Sequence, residues 1–239
     1  MPVAIVTGAS KGLGKALARG LARQGWSVVL DARHGPALAR AEAEVSALLT
    51  GDARSRAVAG DVTDAGHRQT LVAAAESLGG LDLLVNNAST LGQSPLPRLA
   101  DMPPDVLRRV VEVNVIAPLA LIQEALPLLR HSARPRILNI TSDASVEHYD
   151  TWGGYGASKA ALDHLSATLA VEEPAVEVWA VDPGDMRTDM HQEAFPGTDI
   201  SDRPEPDSVV PSLLGLIGGG TAGGRVKAAD LAATVGGGQ

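Results

Sequence analysis

The sequence predicts an α/β fold, a doubly wound parallel sheet of about seven strands in a single domain. Three observations predict it. Short apolar runs without polar alternation recur along the chain, separated by stretches of helical period, as expected of buried parallel strands joined by crossover helices. The first run leads into a glycine-rich turn that opens a helix. The 239 residues, 45 % of them hydrophobic, suit one sizeable core, and no repeat or composition break divides them.

Val3 to Thr7 is the first strand. It runs into Thr7-Gly8-Ala9-Ser10-Lys11-Gly12-Leu13-Gly14 and then a helix with Leu13, Leu17 and Leu21 on one side. Gly25 is placed to cap that helix. Glycines let backbone approach a pyrophosphate, and a helix N-terminus offers free N–H groups with partial positive charge. Trp26 to Leu30 is the second strand, followed by Asp31-Ala32-Arg33-His34. Strand alternation sends Asp31 and Ala32 to opposite faces. Ala37 to Leu49 reads as a surface helix, and Ala57 to Ala59 as a strand ending in Asp61-Val62-Thr63-Asp64. Asp64 suits the N-cap of a helix over Ala65 to Leu78. Leu81 to Val85 is the fourth strand and terminates in Asn86-Asn87-Ala88-Ser89; Pro95 to Pro104 is a proline-rich loop.

A long helix is predicted from Pro104 to Arg130. Pro118 has no N–H to give the carbonyl of Asn114, four residues earlier, so a kink is expected there. The freed carbonyl either seeks a water or marks a bend and nothing more. Pro135 to Ile140 is the fifth strand, followed by Thr141-Ser142-Asp143-Ala144-Ser145. Tyr149 and Trp152, in the loop that follows, either line a pocket or cover the core. Gly153 and Gly154 read as loop feeding a helix that carries Tyr155 and Lys159 one turn apart on one face. A phenol of pKa about 10 is lowered by a nearby ammonium, so such a pair can exchange a proton near neutral pH. Taken alone, that spacing is more often a packed tyrosine and a solvated lysine. Val176 to Val181 is the sixth strand and ends in Asp182-Pro183-Gly184-Asp185-Met186-Arg187-Thr188. Residues 189–206 show no period and read as a mobile loop or lid. Asp207 to Ile217 reads as the last helix, Gly224 to Ala228 as a seventh strand, and Gly236-Gly237-Gly238 as a frayed end.

Composition excludes other classes. With no Cys there is no disulfide framework and no thiolate metal site, and the six histidines are scattered, so no metal is expected. A formal net charge of −8 argues against nonspecific binding to nucleic acid or anionic membrane. No basic leader precedes Val3 and no apolar run reaches the roughly 18 residues of a spanning helix. The expectation is a cytoplasmic protein with no membrane or nucleic-acid partner.

The glycine loop from Thr7 to Gly14, Asp61-Val62, Asn86 to Ser89, Asn114, Ser142, Tyr155 with Lys159, and Pro183 to Thr188 resemble, in order and spacing, the motifs of the short-chain dehydrogenase/reductase family. The resemblance runs from Val3 to about Thr188. It implies a Rossmann-type sheet with a cofactor half over about residues 1–100 and a catalytic and substrate half over about 101–239. Cofactor contacts would come from Gly8, Ser10, Lys11, Gly12, Leu13 and Gly14, from Arg33, Asp61 and Val62, from Asn87, Ala88 and Ser89, and from Pro183, Gly184, Met186 and Thr188, together with Tyr155 and Lys159. Tyr155 would be the general acid, Lys159 would lower its pKa and hold the nicotinamide ribose, Ser142 would bind the substrate oxygen, and Asn114 would hold a water for proton relay. Asp143, Tyr149 and Trp152 would face the substrate, a small carbonyl or alcohol. Ser89 departs from the family's glycine, Val171 to Glu177 is shorter than the family norm, and Asp182 falls inside a varied motif. The family's ribose-binding acid falls at Ala32, and Arg33 and Lys11 are cations beside it. NADP(H) is therefore expected over NAD(H). An NAD(H)-preferring alcohol dehydrogenase and a catalytically silent NADP-binding regulator or scaffold are the alternatives. The resemblance also points to a homotetramer or homodimer built on the long helix and the Tyr155 helix.

Overall fold

A computed structural model describes residues 1–219 and 223–235. Among them are seven strands: β1 (Val3–Val6), β2 (Ser27–Ala32), β3 (Ser55–Ala59), β4 (Leu83–Asn86), β5 (Arg136–Ile140), β6 (Glu177–Asp182) and β7 (Gly224–Lys227). All pair in parallel, in the order β3-β2-β1-β4-β5-β6-β7. The winding reverses between β1 and β4, which leaves a crevice beyond the carboxyl ends of those strands.

Helices α1 (Gly12–Arg23), α2 (Gly35–Ser46) and α8 (Val210–Gly218) cover one face of the sheet, where Leu17, Leu21, Leu38 and Leu213 pack against Val28, Leu30 and Trp179. Helix α3 (Ala65–Ser77) and helix α5 (Ala117–Leu129) cover the other, with Leu71, Leu121 and Leu129 on Ile5, Leu84 and Ile137. Strands β1, β2, β4 and β5 are buried throughout, which is why their sequences run mostly apolar without alternation, whereas the edge strands β3 and β7 are only partly buried. Asp64 caps α3 as expected, its Oδ1 accepting the His67 N–H at 2.7 Å.

Five expectations are corrected. Helix α4 (Pro104–Val111) passes into α5 through a π turn over Glu112–Ile116 instead of a simple kink, with the Ala117 N–H reaching back to Glu112 O. The wider turn sets Pro118 in the first turn of α5, where a missing N–H costs little. Read through that turn, Pro104–Leu129 is 26 residues long and its most apolar 18-residue window has a mean hydropathy of 1.4, long and apolar enough by length and composition to cross a bilayer, contrary to the expectation from sequence. Over half of its most apolar window is buried, so that apolar character serves the core. Gly153 and Gly154 belong to helix α6 (Gly153–Glu172) itself. Side chains there would meet Leu99 at 2.5 Å and Met102 at 2.4 Å, so the glycines answer a close approach of the proline-rich loop. Residues 189–206 contain a short helix, α7 (Asp189–Ala194), whose N-cap Thr188 accepts the His191 N–H at 3.1 Å. The helix expected from Asp207 is a 3-10 turn over Pro206–Ser208 followed by α8, and it is not the last, since α9 (Ala228–Val235) follows β7. The expected frayed end at residues 236–238 lies outside the described residues.

Candidate active site

A cleft of about 670 Å3 opens at the carboxyl ends of the strands and runs from the glycine loop to Tyr155 and Lys159. Its glycine end is closed by a specific fit. Asn87 Nδ2 donates to Thr7 O at 2.8 Å and Gly8 O at 3.2 Å, while Thr7 Oγ1 accepts the N–H groups of Asn87 and Ala88 at 2.9 and 3.0 Å. Gly8 has φ +64°, and a side chain on Gly14 would stand 2.6 Å from Gly8 O. Glycine is thus required at both positions. Helix α1 has no side-chain cap at its N-terminus. Its first N–H groups remain available to an anion.

Of the residues singled out from sequence, Gly14, Asn114 and Tyr149 do not line the cleft; the others do. Tyr149 is exposed, with its hydroxyl on Asp143 Oδ2 at 2.8 Å. Asp61 is gripped by Arg109 at 2.8 Å. Partial burial opposes its ionisation, but the Thr63 N–H and Arg109 outweigh this and hold its carboxyl down to about 2. Lys11 pairs with Asp189 of α7 at 2.8 Å, both side chains largely exposed. The β2 strand runs to Ala32, two residues past its expected end, and carries Asp31 away from solvent. Asp31 Oδ1 lies 2.6 Å from His67 Nε2, and Oδ2 accepts the Gly8 N–H at 3.3 Å. Burial pushes the Asp31 carboxyl above its ordinary range, against the pull of His67 and Gly8. Arg33 is exposed and makes no ion pair among the described residues.

At the other end, α6 brings Tyr155 and Lys159 to the turn after β5. A side chain on Gly156 would stand 2.5 Å from Ala144 O, so the start of α6 seats directly on the Ser142–Ser145 turn. Ser142 Oγ donates to Asp143 Oδ1 at 3.0 Å and accepts the Ala144 N–H at 3.2 Å. Lys159 Nζ lies 5.6 Å from the Tyr155 ring centroid and donates to Ile140 O at 2.8 Å. Asn114 is fully buried. Its Oδ1 accepts from the Thr90 N–H at 2.9 Å and from Ser89 Oγ at 3.1 Å. Its Nδ2 donates to Thr90 O at 2.9 Å and Ser158 Oγ at 3.0 Å. Its side chain thus ties the loop after β4 to α6.

The electrostatics correct one expectation. Burial pushes the Tyr155 pKa up, against the pull of the Ser89 and Ser142 hydroxyls, and Lys159 does not reverse this. The reason is that the lysine is buried too: desolvation brings its ammonium down to about 8, against the pull of Asp163. This has a consequence for stability. With a folded pKa of about 8 and an ordinary value of 10.5, Lys159 opposes folding fully below about pH 8 and not at all above 10.5. Stability from this group therefore rises with pH across that window. Lys159→Met is expected to melt at a higher temperature than the wild type at pH 7 and to lose this rise, while losing turnover. Calorimetry at pH 7 and 9.5 checks it, and a less stable Met variant would show that the Ile140 contact outweighs the burial.

One residue outside every motif joins the site. Arg225, on β7, donates through Nη2 to Ser142 O at 3.0 Å and Ser145 Oγ at 3.3 Å and through Nε to Asp163 at 3.0 Å, with Asp182 3.6 Å away. It holds the Ser142 turn from behind. A lone arginine in a short glycine-flanked strand offers no signal for this in sequence.

A family model described as short chain dehydrogenase matches residues 2–199. Sepiapterin reductase of Meriones unguiculatus is 38 % identical over 199 residues, which cover 80 % of this chain and 76 % of that protein. The structure of a putative short chain dehydrogenase from Pseudomonas syringae superposes with a TM-score of 0.87 at 33 % identity, over 95 % of this chain and 94 % of that one. An alcohol dehydrogenase from the archaeon Thermococcus sibiricus, complexed with 5-hydroxy-NADP, gives 0.84 at 26 % identity over 95 % of each chain. With the sheet order, the glycine loop and the Ser142–Tyr155–Lys159 cluster already in place, these likenesses make the chain a member of the short-chain dehydrogenase family, an oxidoreductase.

Proposed function

We propose that the chain is an NADP(H)-dependent oxidoreductase that transfers a hydride between nicotinamide and a carbonyl or secondary alcohol, with Tyr155 as general acid and base. The observation that carries this reading is one cleft joining an uncapped helix N-terminus to the half-buried Ser142 and the buried Tyr155 and Lys159. The glycine cradle has no room for side chains at Gly8 and Gly14 and fits a pyrophosphate against α1. Gly8, Ser10, Gly12 and Leu13 would hold it there, Asp61 and Val62 the adenine end, and Lys159 the nicotinamide ribose. When bound, the nicotinamide supplies or takes the hydride.

The protein's own residues handle the proton and the geometry. In reduction Ser142 turns its hydroxyl from Asp143 to the substrate oxygen and holds it beside Tyr155. Tyr155 gives its proton to that oxygen; its raised pKa keeps the proton in place until the oxygen gains charge. Asn114 orders the wall behind both, and its backbone carbonyl, in the π turn, would hold the relay water that the family resemblance implies.

Arg33 supports NADP(H), being a free guanidinium at the end of β2. The similar Thermococcus sibiricus enzyme carries an NADP derivative. The substrate end is walled by Leu91, Trp152 and Met190 and rimmed by Asp143, Asp185 and Glu193. Such a wall and rim favour uncharged apolar carbonyls over acids. The test is NADPH consumption with uncharged ketones, aldehydes and quinones. Cofactor binding with no consumption on any of them would favour the silent regulator instead.

The enzyme is further expected to assemble as a homodimer or homotetramer through the α4–α5 and α6 helices, where Ile116 and Val171 are exposed. Sedimentation at micromolar concentration checks this, and a monomer would count against it.

A further inference from the structure

Arg225 does not line the cleft and takes no part in the proton transfer, yet its guanidinium reaches the backbone of Ser142. We propose that Arg225 is the positioning residue for Ser142: by tying the serine's carbonyl to Asp163 of α6, it aims the Ser142 hydroxyl at the place the substrate oxygen takes beside Tyr155.

Backbone geometry delivers the side chain. Gly224 has φ +141°, a conformation that side chains rarely adopt, and a side chain on Gly223 would stand 2.6 Å from Val178 O. The two glycines let β7 close on β6, with Arg225 opposite Ala180. Asp182, two residues beyond Ala180, faces the same side of the sheet, and its Oδ2 lies 3.6 Å from Arg225 Nη2.

The guanidinium then spans two segments. Nη2 donates to Ser142 O at 3.0 Å and to Ser145 Oγ at 3.3 Å. Nε donates at 3.0 Å to Oδ2 of Asp163, which lies on α6 one turn beyond Lys159. Ser145 Oγ closes the ring, 2.6 Å from the same Asp163 oxygen. Ser142 is extended (φ −160°, ψ 159°), and the chain turns into a 3-10 helix directly after it. Holding its carbonyl fixes the Ser142–Asp143 peptide plane, and only ψ separates that plane from the bond to the side chain. The serine's own hydroxyl bonds, to Asp143 and the Ala144 N–H, stay within its turn. They cannot relate it to α6, where Tyr155 sits; Arg225 makes that link. A planar fork suits the task, since it meets two acceptors at fixed angles where an ammonium offers a point charge. Placement matters because a shift of about 1 Å can cost roughly a hundredfold in rate. The proposal rests on Ser142 holding the substrate oxygen.

A double-mutant cycle tests it, run with NADPH and the fastest-reduced member of the ketone, aldehyde and quinone panel. Arg225→Met removes the fork and keeps the stem. Arg225→Lys keeps the charge beside Asp163 and Asp182, and it decides the matter where the Met variant fails to fold. Each is expected to lower kcat/KM roughly tenfold or more in the parent. In a Ser142→Ala background each should lower it no further, because the serine through which Arg225 acts is gone. In the unloaded protein, amide hydrogen exchange over residues 142–147 should quicken in both variants while the glycine loop keeps its rate. Losses that add to that of Ser142→Ala overturn the proposal, as do unchanged kcat/KM in Arg225→Lys or unmoved exchange over 142–147. A fully active Ser142→Ala variant would instead overturn the role given to Ser142, and this proposal with it.

Discussion

Tyr155→Phe is expected to lower turnover at least about a hundredfold, the lower part of the range for acid–base catalysis. The substitution removes the transferable proton and leaves the ring. That ring packs with Leu91, Leu96 and Ala144 and meets the edge of Trp152 at 5.6 Å between centroids, so the cluster keeps its shape. Cofactor binding should be largely retained, because the glycine cradle and the Asp61–Arg109 pair lie at the far end of the cleft. Melting should change little: the ring keeps its packing, and the neighbouring Ser89 and Ser142 hydroxyls keep their bonds to Asn114 and Asp143. Steady-state rates and cofactor titration of the same variant separate these effects. Near-normal turnover would sink the assignment of Tyr155 as the acid.

Arg33→Ala is expected to erase most of a preference for NADPH over NADH that is at least tenfold in the wild type. One charge-assisted contact of roughly 1.5–3 kcal/mol accounts for that factor. Lys11 adds less, since its ammonium is already paired with Asp189. An exposed pair of this kind is worth roughly 0–1 kcal/mol, so a phosphate can displace it at small cost. Asp31 is the residue that could reverse the preference, and the structure engages both its oxygens with His67 and the Gly8 N–H. The ratio of kcat/KM values for the two cofactors is the measurement. A wild-type enzyme that prefers NADH would mean that Asp31 releases His67 to bind the ribose.

The fold was legible because its determinants are local. Apolar runs marked the inner strands of the sheet, since a strand buried on both faces has no reason to alternate, whereas the edge strand β7, with Arg225 and Lys227, carries no such run. Asp64 announced a helix start that its side chain does cap. Tyr155 and Lys159 could be paired from spacing alone, because one helical turn brings them together whatever surrounds them. The errors fell where packing overrides local preference. Gly153 and Gly154 read as loop because glycine is a poor helix former, yet α6 needs them to let Leu99 and Met102 approach. The short helix α7 was missed because six residues carry too little period to see.

Sequence by itself determined the sheet, the place of the cleft and the identity of the Ser142, Tyr155 and Lys159 side chains, since periodicity and motif spacing are properties of neighbours along the chain. Tertiary structure alone decided how those side chains behave. Asp31 was withdrawn from solvent by His67, 36 positions away. Tyr155 was made a weaker acid by burial, against the expectation from its lysine neighbour. Ser89 met Asn114 across 25 positions, and Arg225 reached Ser142 across 83. Desolvation and contacts between distant segments exist only once the chain has closed on itself, and they set the charge state and direction of every group in this site.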